Sequence, residues 1–305
     1  MVKRVLRGLA LALGLALGLT ACGSSGGGGQ GGEKPPEKLT VGFVPSSEAQ
    51  KIGDTVKPIC AFLEKELGMP AECIVSTDYV GLVEAMGSRQ VDVGFLNPLG
   101  YVLAHSENGT EVLLKTVRRG SVTYNAQIVV RADSGIKSLA DLRGKRFAFV
   151  DPASTSGYLY PVYYLMKNAG LKTVDEFFSE IQFLTSHDNV IKAVYNGDFD
   201  AGATFEDART RVEKELPDVM EKVVVLAKVE GIPNDTISVR QGLPAELVAK
   251  IKDAFLKYAQ TEEGKQVLFD LYQIDGFAEA KHEDYQPIEE VARAMNIDLR
   301  EQLSK

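Results

Sequence analysis

Twice in this chain a helix-patterned stretch gives way to a short turn and then to a strand opening on Asp-x-Gly. The two copies are Gln90-Val91-Asp92-Val93-Gly94 and Asp198-Phe199-Asp200-Ala201-Gly202. A unit that recurs this far along a chain calls for two similar α/β bodies. Around the first copy the pattern predicts strands over Leu39–Val44, Ile74–Ser76 and Val91–Leu96, the last stopped by Asn97-Pro98. Helical periodicity runs over 48–67, with Ile52, Val56, Ile59, Phe62, Leu63 and Leu67 on one face, and again over Tyr79–Gly87. Around the second copy, strands are expected at Arg146–Val150, Ala201–Thr204 and Val223–Val229, and helices at Ser138–Leu142, Tyr158–Ala169 and Asn189–Tyr195. Two long strands, Val112–Arg118 and Tyr124–Arg131, flank a turn at Gly120, and 245–305 is helix-rich over Ala245–Tyr258, Glu262–Tyr272 and Ile288–Met295. The expected fold is α/β and two-lobed, each lobe a mainly parallel sheet flanked by helices. Two hinge strands join lobe 1 (39–127 plus 239–305) to lobe 2 (128–238), leaving a cleft between them. Ligands favour such clefts and the C-terminal ends of parallel strands.

The N-terminus decides the compartment. Lys3, Arg4 and Arg7 precede an apolar run, Leu9–Leu19, built only from Leu, Ala and Gly, and Leu19-Thr20-Ala21-Cys22 follows. The run is too short to span a bilayer, and its layout is that of a secretion signal over 1–21. The terminal Cys makes the segment resemble a bacterial lipoprotein signal, which implies cleavage before Cys22 and a diacylglycerol on its thiol. The alternative is an ordinary cleaved signal with an incidental Cys. Residues 23–38, GSSGGGGQGGEKPPEK, carry no apolar side chain to bury and read as a flexible tether. An exported globular body, lipid-anchored at the periplasmic or outer face of a membrane, is the first functional expectation.

Export also frames the other two cysteines. Cys60 and Cys73 can pair in an oxidising compartment, the alternative being two buried free thiols. A balance of 34 Lys+Arg against 42 Asp+Glu, net −8, argues against a nucleic-acid partner. Three His and three Cys leave no zinc cluster, and neither metal nor cofactor is expected.

The most informative run is Asp151-Pro152-Ala153-Ser154-Thr155-Ser156-Gly157-Tyr158-Leu159-Tyr160-Pro161, lying between a strand and a helix. Ser154, Thr155 and Ser156 then sit where unpaired N–H groups and the helix dipole favour an anion. Their hydroxyls add donors, and Gly157 lets the backbone approach closely. Plain helix capping is the alternative. No Gly-Lys-[Ser/Thr] ending marks a P-loop, and no Gly-x-Ser-x-Gly elbow marks a serine hydrolase.

Together with Ser76-Thr77-Asp78-Tyr79-Val80-Gly81, Ser186-His187-Asp188 and Ile232-Pro233-Asn234-Asp235, this run resembles the phosphate/phosphite/phosphonate-binding proteins of ABC transporters, in the same order over about 39–275. The resemblance implies a two-lobed periplasmic-binding-protein fold of type II that closes on a ligand and delivers it to a permease served by a separate ATPase subunit. It implies that Ser154, Thr155 and Ser156 bind phosphoryl oxygens, that Tyr79 and Tyr124 add hydroxyls from the other lobe, and that His187 adds a ring N–H. Glu206 and Asp235 match positions where phosphonate binders hold an amino group. Blander roles stand beside these. His187 and Asp188 could cap a helix beginning near Asn189, and the tyrosines could pack at an interface. Arg118-Arg119 could add positive potential near the cleft or be a solvated face, the acidic 206–218 stretch could be an exposed helix, and His105 and His282 surface residues.

Two carboxylates facing a dianion would oppose it. Unit charges ~5 Å apart at an effective dielectric of ~20 interact by roughly 3 kcal/mol. An aminoalkylphosphonate would offset this with its ammonium, and a protonated oxyanion with its P–OH. The expected function is therefore a monomeric solute-binding lipoprotein, not an enzyme, taking a phosphonate, phosphite or phosphate. The alternatives are a ligand sensor and an extracytoplasmic phosphate-ester hydrolase, the second needing a nucleophile or metal cage the sequence does not offer.

Overall fold

The computed structural model describes residues 34–297. The signal segment, Cys22 and the tether up to residue 33 lie outside the described residues. Among the described residues no helix is long and apolar enough to cross a membrane.

The chain builds β1 (Leu39–Phe43), β2 (Ala71–Val75), β3 (Val93–Leu96) and β4 (Glu111–Val117), with helices Ala49–Thr55, Lys57–Leu67, Tyr79–Gly87 and Pro98–Asn108 between them. A turn at 118–121 leads to β5 (Thr123–Arg131), β6 (Arg146–Phe149), β7 (Glu180–Phe183), β8 (Ala201–Phe205) and β9 (Val223–Pro233). The chain returns through β10 (Thr236–Val239) and β11 (Gly276–Glu279). One sheet has the order β11-β4-β10-β3-β1-β2, the other β7-β6-β8-β5-β9. All five residues of β1 are buried, as a strand covered by helices on both faces requires.

The sheets are mixed rather than mainly parallel. β1 pairs parallel with β2 and β3, and β6 with β7 and β8, but β10, β11 and β5 pair antiparallel with every neighbour. The cause lies in the crossings. β5 and β10 start at the crossing between sheets and must run away from it, while β1, β3, β6 and β8 run toward it. The boundaries expected at 127/128 and 238/239 both fall inside strands, because β5 pairs throughout with β8 and β9 and β10 with β3 and β4. The crossings lie at 118–122 and 234–235.

The Asp-x-Gly repeat has the same structural meaning in both copies. Asp92 accepts the N–H of Thr40 at 2.9 Å and pairs with Arg240, while Asp200 accepts the N–H of Arg146 at 2.9 Å and pairs with the Arg146 side chain. A Cβ on Gly94 would meet Met86 Sδ at 2.5 Å, and one on Gly202 would meet Val190 Cγ1 at 2.5 Å. In each lobe the glycine lets a helix sit directly on the sheet.

The helix expected over 48–67 is two helices, broken at Val56, with Pro58 in the first turn of the second. Proline supplies no N–H and crowds the preceding turn. Cys60 and Cys73 form a disulfide that ties the Lys57–Leu67 helix to β2. β7, β11 and the helix Pro98–Asn108 were not anticipated, whereas Ala245–Tyr258 and Glu262–Tyr272 are helices with those bounds.

Candidate functional site

The cradle begins where β6 ends. Asp151 Oδ1 accepts the N–H of Ala153 at 2.7 Å, and the Asp151 carbonyl accepts that of Ser154 at 2.9 Å. Ser154 Oγ then accepts the N–H of Gly157 at 3.1 Å, capping a wide π-type turn, Thr155–Leu159, that continues as the helix Tyr160–Asn168. A Cβ on Gly157 would stand 2.3 Å from Val150 Cγ2, so only glycine lets this turn lie against the strand end. Burial pushes Asp151 up to about 6, against the pull of the Ala153 and Tyr79 N–H groups.

A cavity of about 120 Å³ lies over the cradle. It is well below the ~300–1,000 Å³ typical of drug-sized ligands. Ser154, Ser156, Tyr79, Tyr124, His187, Glu206 and Asp235 all line it. Thr155 does not. Its buried hydroxyl accepts from Asn97 Nδ2 and from the N–H of Leu99, both at 2.8 Å, so it fastens one lobe to the other. Tyr124 comes from β5, in the same sheet as the cradle, so Tyr79 alone of the two tyrosines reaches in from the opposite lobe.

Tyr79 is 2% exposed, and its Oη has no hydrogen-bond partner among the described residues. Burial, with the nearby Asp151 charge, drives its phenol far upward, and burial with Asp235 does the same for Tyr124. Both remain neutral hydroxyl donors. His187 opens the helix His187–Asn196, whose cap is the Ser186 hydroxyl rather than Asp188. Its Nδ1 accepts the N–H of Phe205 at 3.3 Å, which assigns the ring proton to Nε2. Burial, then the Arg211 and Arg118 charges, hold His187 down at about 3.

The two carboxylates do not face the cavity bare. Glu206 accepts from Asn125 Nδ2 at 2.7 Å and pairs with Lys228 at 2.7 Å. Burial alone would raise it, but these partners hold it below its ordinary value. Asp235 pairs with Arg118, and burial outweighs that pairing to leave its carboxyl raised. The repulsion expected from two unpaired carboxylates is therefore cancelled by cations of the protein itself. Arg118, Arg119 and Arg211 all line the cavity. The 206–218 stretch is not a helix. It holds a short turn, Ala208–Arg211, of which Arg211 lines the cavity, while Arg209 donates to the Val223 carbonyl at 2.8 Å. Position at a crossing was the available signal for Arg118, while nothing local marks Arg211. His105 and His282 are a half-buried stacked pair, ring centroids 3.9 Å apart, with Tyr101 Oη 3.1 Å from His282 Nδ1.

The lobes touch around the rim. The His187 N–H meets the Ser46 carbonyl at 3.2 Å, and Lys51 and Lys192 each pair with both Glu48 and Glu215. Two α/β lobes closed over a small donor-rich cavity at their strand ends define a solute-binding receptor. Comparison with known proteins narrows the class. Residues 41–285 match the family model described as "ABC transporter, phosphonate, periplasmic substrate-binding protein". The chain is 31% identical over 262 residues to the phosphate-import protein PhnD of Mycolicibacterium smegmatis, covering 81% of this chain and 80% of that protein. It is 29% identical over 241 residues to the phosphonates-binding periplasmic protein of Escherichia coli, covering 77% and 70%. The binding component of a Pseudomonas aeruginosa ABC phosphonate transporter superposes with a TM-score of 0.78 at 25% identity, covering 87% of each chain. PhnD1 of Prochlorococcus marinus, solved with methylphosphonate, shares the fold at a TM-score of 0.76 and 24% identity, covering 86% and 99%. The chain belongs to this phosphonate-binding family, and it is the solute-binding component of an ABC transporter.

Proposed function

We propose that the protein is anchored outside the cytoplasm through a lipid on Cys22, captures a small phosphorus oxyanion or phosphonate in the inter-lobe cavity, and releases it to a permease driven by a separate ATPase subunit. The observation that carries this reading is the convergence of neutral donors on one small cavity. The Ser154 and Ser156 turn, Tyr124 and His187 stand on one side, and the unpartnered Tyr79 hydroxyl on the other. Neutral donors and a helix start stabilise an anion alongside arginines already paired with carboxylates, which suits a receptor that must also let go. His187 supports binding without chemistry, because a ring held at about 3 is a hydrogen-bond donor and a poor general base at neutral pH. The two lobes act as clamps that swing on the crossings at 118–122 and 234–235.

Calorimetric titration with phosphate, phosphite, methylphosphonate and 2-aminoethylphosphonate tests the reading. Saturable binding of at least one is the expected result. Silence for all four, in protein shown by circular dichroism to be folded, would overturn it.

A further inference from the structure

Arg118 follows the last residue of β4 at one crossing, and Asp235 precedes β10 at the other. Both side chains line the cavity, and they form an ion pair through Arg118 Nη2 and Asp235 Oδ2, with exposures of 16% and 18%. The guanidinium lies over the Tyr124 ring, 5.5 Å from its centroid. That arrangement leaves one donor over: Arg118 Nε is buried and has no acceptor among the described residues. The other cavity-lining guanidinium groups have partners of their own, Arg119 in Asp207 at 2.6 Å and Arg211 in the Leu271 carbonyl at 3.1 Å and Asp188 at 3.7 Å. Among the described residues, Arg118 is the cavity-lining cation that keeps a buried N–H without an acceptor.

An arginine cannot shed that proton, so an anionic oxygen entering the cavity is the group that satisfies it. A ligand ammonium meets the opposite situation. Asp235 already has Arg118 as its counter-ion, and Glu206 already has Lys228 and Asn125. An ammonium near Asp235 would have to displace a guanidinium or sit beside it as a like charge. We propose that Arg118 contacts the ligand and sets its class: the site takes a compact phosphorus oxyanion with no cationic group, and the Arg118–Asp235 pair disfavours aminoalkylphosphonates. This rests on the reading of the cavity as a phosphorus-oxyanion site.

The test is calorimetry at pH 7.5 with phosphate, methylphosphonate and 2-aminoethylphosphonate on the wild type, Arg118→Gln and Arg118→Lys. The wild type should bind phosphate or methylphosphonate about tenfold or more tighter than the aminophosphonate. Loss of one charge-assisted hydrogen bond corresponds to a roughly tenfold to hundredfold weaker Kd, so Arg118→Gln should lose that much for the oxyanions. It should also move the preference about tenfold or more toward 2-aminoethylphosphonate, because Asp235 is then free to take the ammonium. Arg118→Lys keeps a charge opposite Asp235 but lacks the planar fork, so it should weaken oxyanion binding with the fold intact, and it decides the matter if the Gln variant does not fold. Wild-type preference for the aminophosphonate would overturn the proposal, as would a ligand ratio unchanged in the variants. Binding of none of the three, nor of phosphite, by the wild type would bring down the oxyanion reading itself, and that failure shows before any substitution is made.

Discussion

Replacing His187 with Asn separates the acid sensitivity of this site from everything else in the protein. In the wild type the ring is 4% exposed, and burial with the Arg211 and Arg118 charges holds it at about 3, against an ordinary value of 6.5. Above pH 6.5 neither the folded nor the unfolded chain carries the extra proton, and the buried neutral ring contributes fully. Below 6.5 the unfolded chain takes up a proton that the folded chain refuses, so stability falls as the pH drops toward 3. Between pH 8 and pH 5 those two values imply a loss of about 2 kcal/mol. Asp151 works in the opposite sense. Its value of about 6 lies above the ordinary 3.8, so folding gains from its protonation as the pH falls through 6, by about 1 kcal/mol over the same interval. A wild-type curve therefore mixes the two, and the difference between wild type and His187→Asn isolates the imidazole. Asn can still accept the Phe205 N–H but does not titrate, and its lost packing against Phe205, whose ring centroid lies 4.7 Å away, is a constant offset. Urea unfolding followed by circular dichroism at pH 8, 7, 6 and 5 gives the stability of each form. The wild type's advantage should shrink by about 2 kcal/mol from pH 8 to pH 5. An advantage that stays constant, or grows, would refute the assignment of a buried neutral His187.

The three cradle hydroxyls should respond differently to substitution. Ser156→Ala should weaken ligand binding by about 1.5–3 kcal/mol with little change in melting temperature, and Ser154→Ala should add about 1 kcal/mol of lost capping, both read by calorimetry beside thermal melts. Thr155→Val removes the acceptor for Asn97 and the Leu99 N–H, so it should shift the ligand-saturated protein toward a more open form by small-angle scattering; an unchanged profile would refute the inter-lobe role. Gly157→Ala puts a Cβ 2.3 Å from Val150, so chemical unfolding should show a loss of about 1–3 kcal/mol, and equal stability would mean the turn is looser than described. Reducing the Cys60–Cys73 disulfide, which closes a separation of 13 residues, should cost about 3 kcal/mol, seen as a lower melting temperature in reductant that Cys60→Ser reproduces without it.

Much of this protein was legible before any fold was seen, and the reason is locality. The period of apolar residues gave most of the strand–helix order because an element with one buried face needs only its own near neighbours to declare it, whereas Pro98–Asn108, buried from Pro98 through Ala104, shows no such period. The capped turn at Ser154-Thr155-Ser156-Gly157 was legible because capping chemistry and the first turn of a helix are built from consecutive residues. The repeated Asp-x-Gly marked two lobes because each copy solves the same problem of seating a helix on a sheet. Direction and pairing were another matter. Which strands run antiparallel followed from where the chain crosses between sheets, and that depends on residues far apart in sequence. The same is true of charge. Asp235 and Glu206 look like two bare carboxylates in a sequence, but Arg118 lies 117 positions from Asp235, and only folding puts them in contact. Thr155 is the sharpest case. Sequence grouped it with its neighbours, yet the direction in which its side chain leaves the turn sends its hydroxyl to Asn97 and Leu99 of the other lobe. Local chemistry, written in adjacent residues, set the kind of site this chain carries. Which groups line the cavity, and which charges are already paired, was decided by long-range packing that brings the ends of two separate sheets to one small cavity.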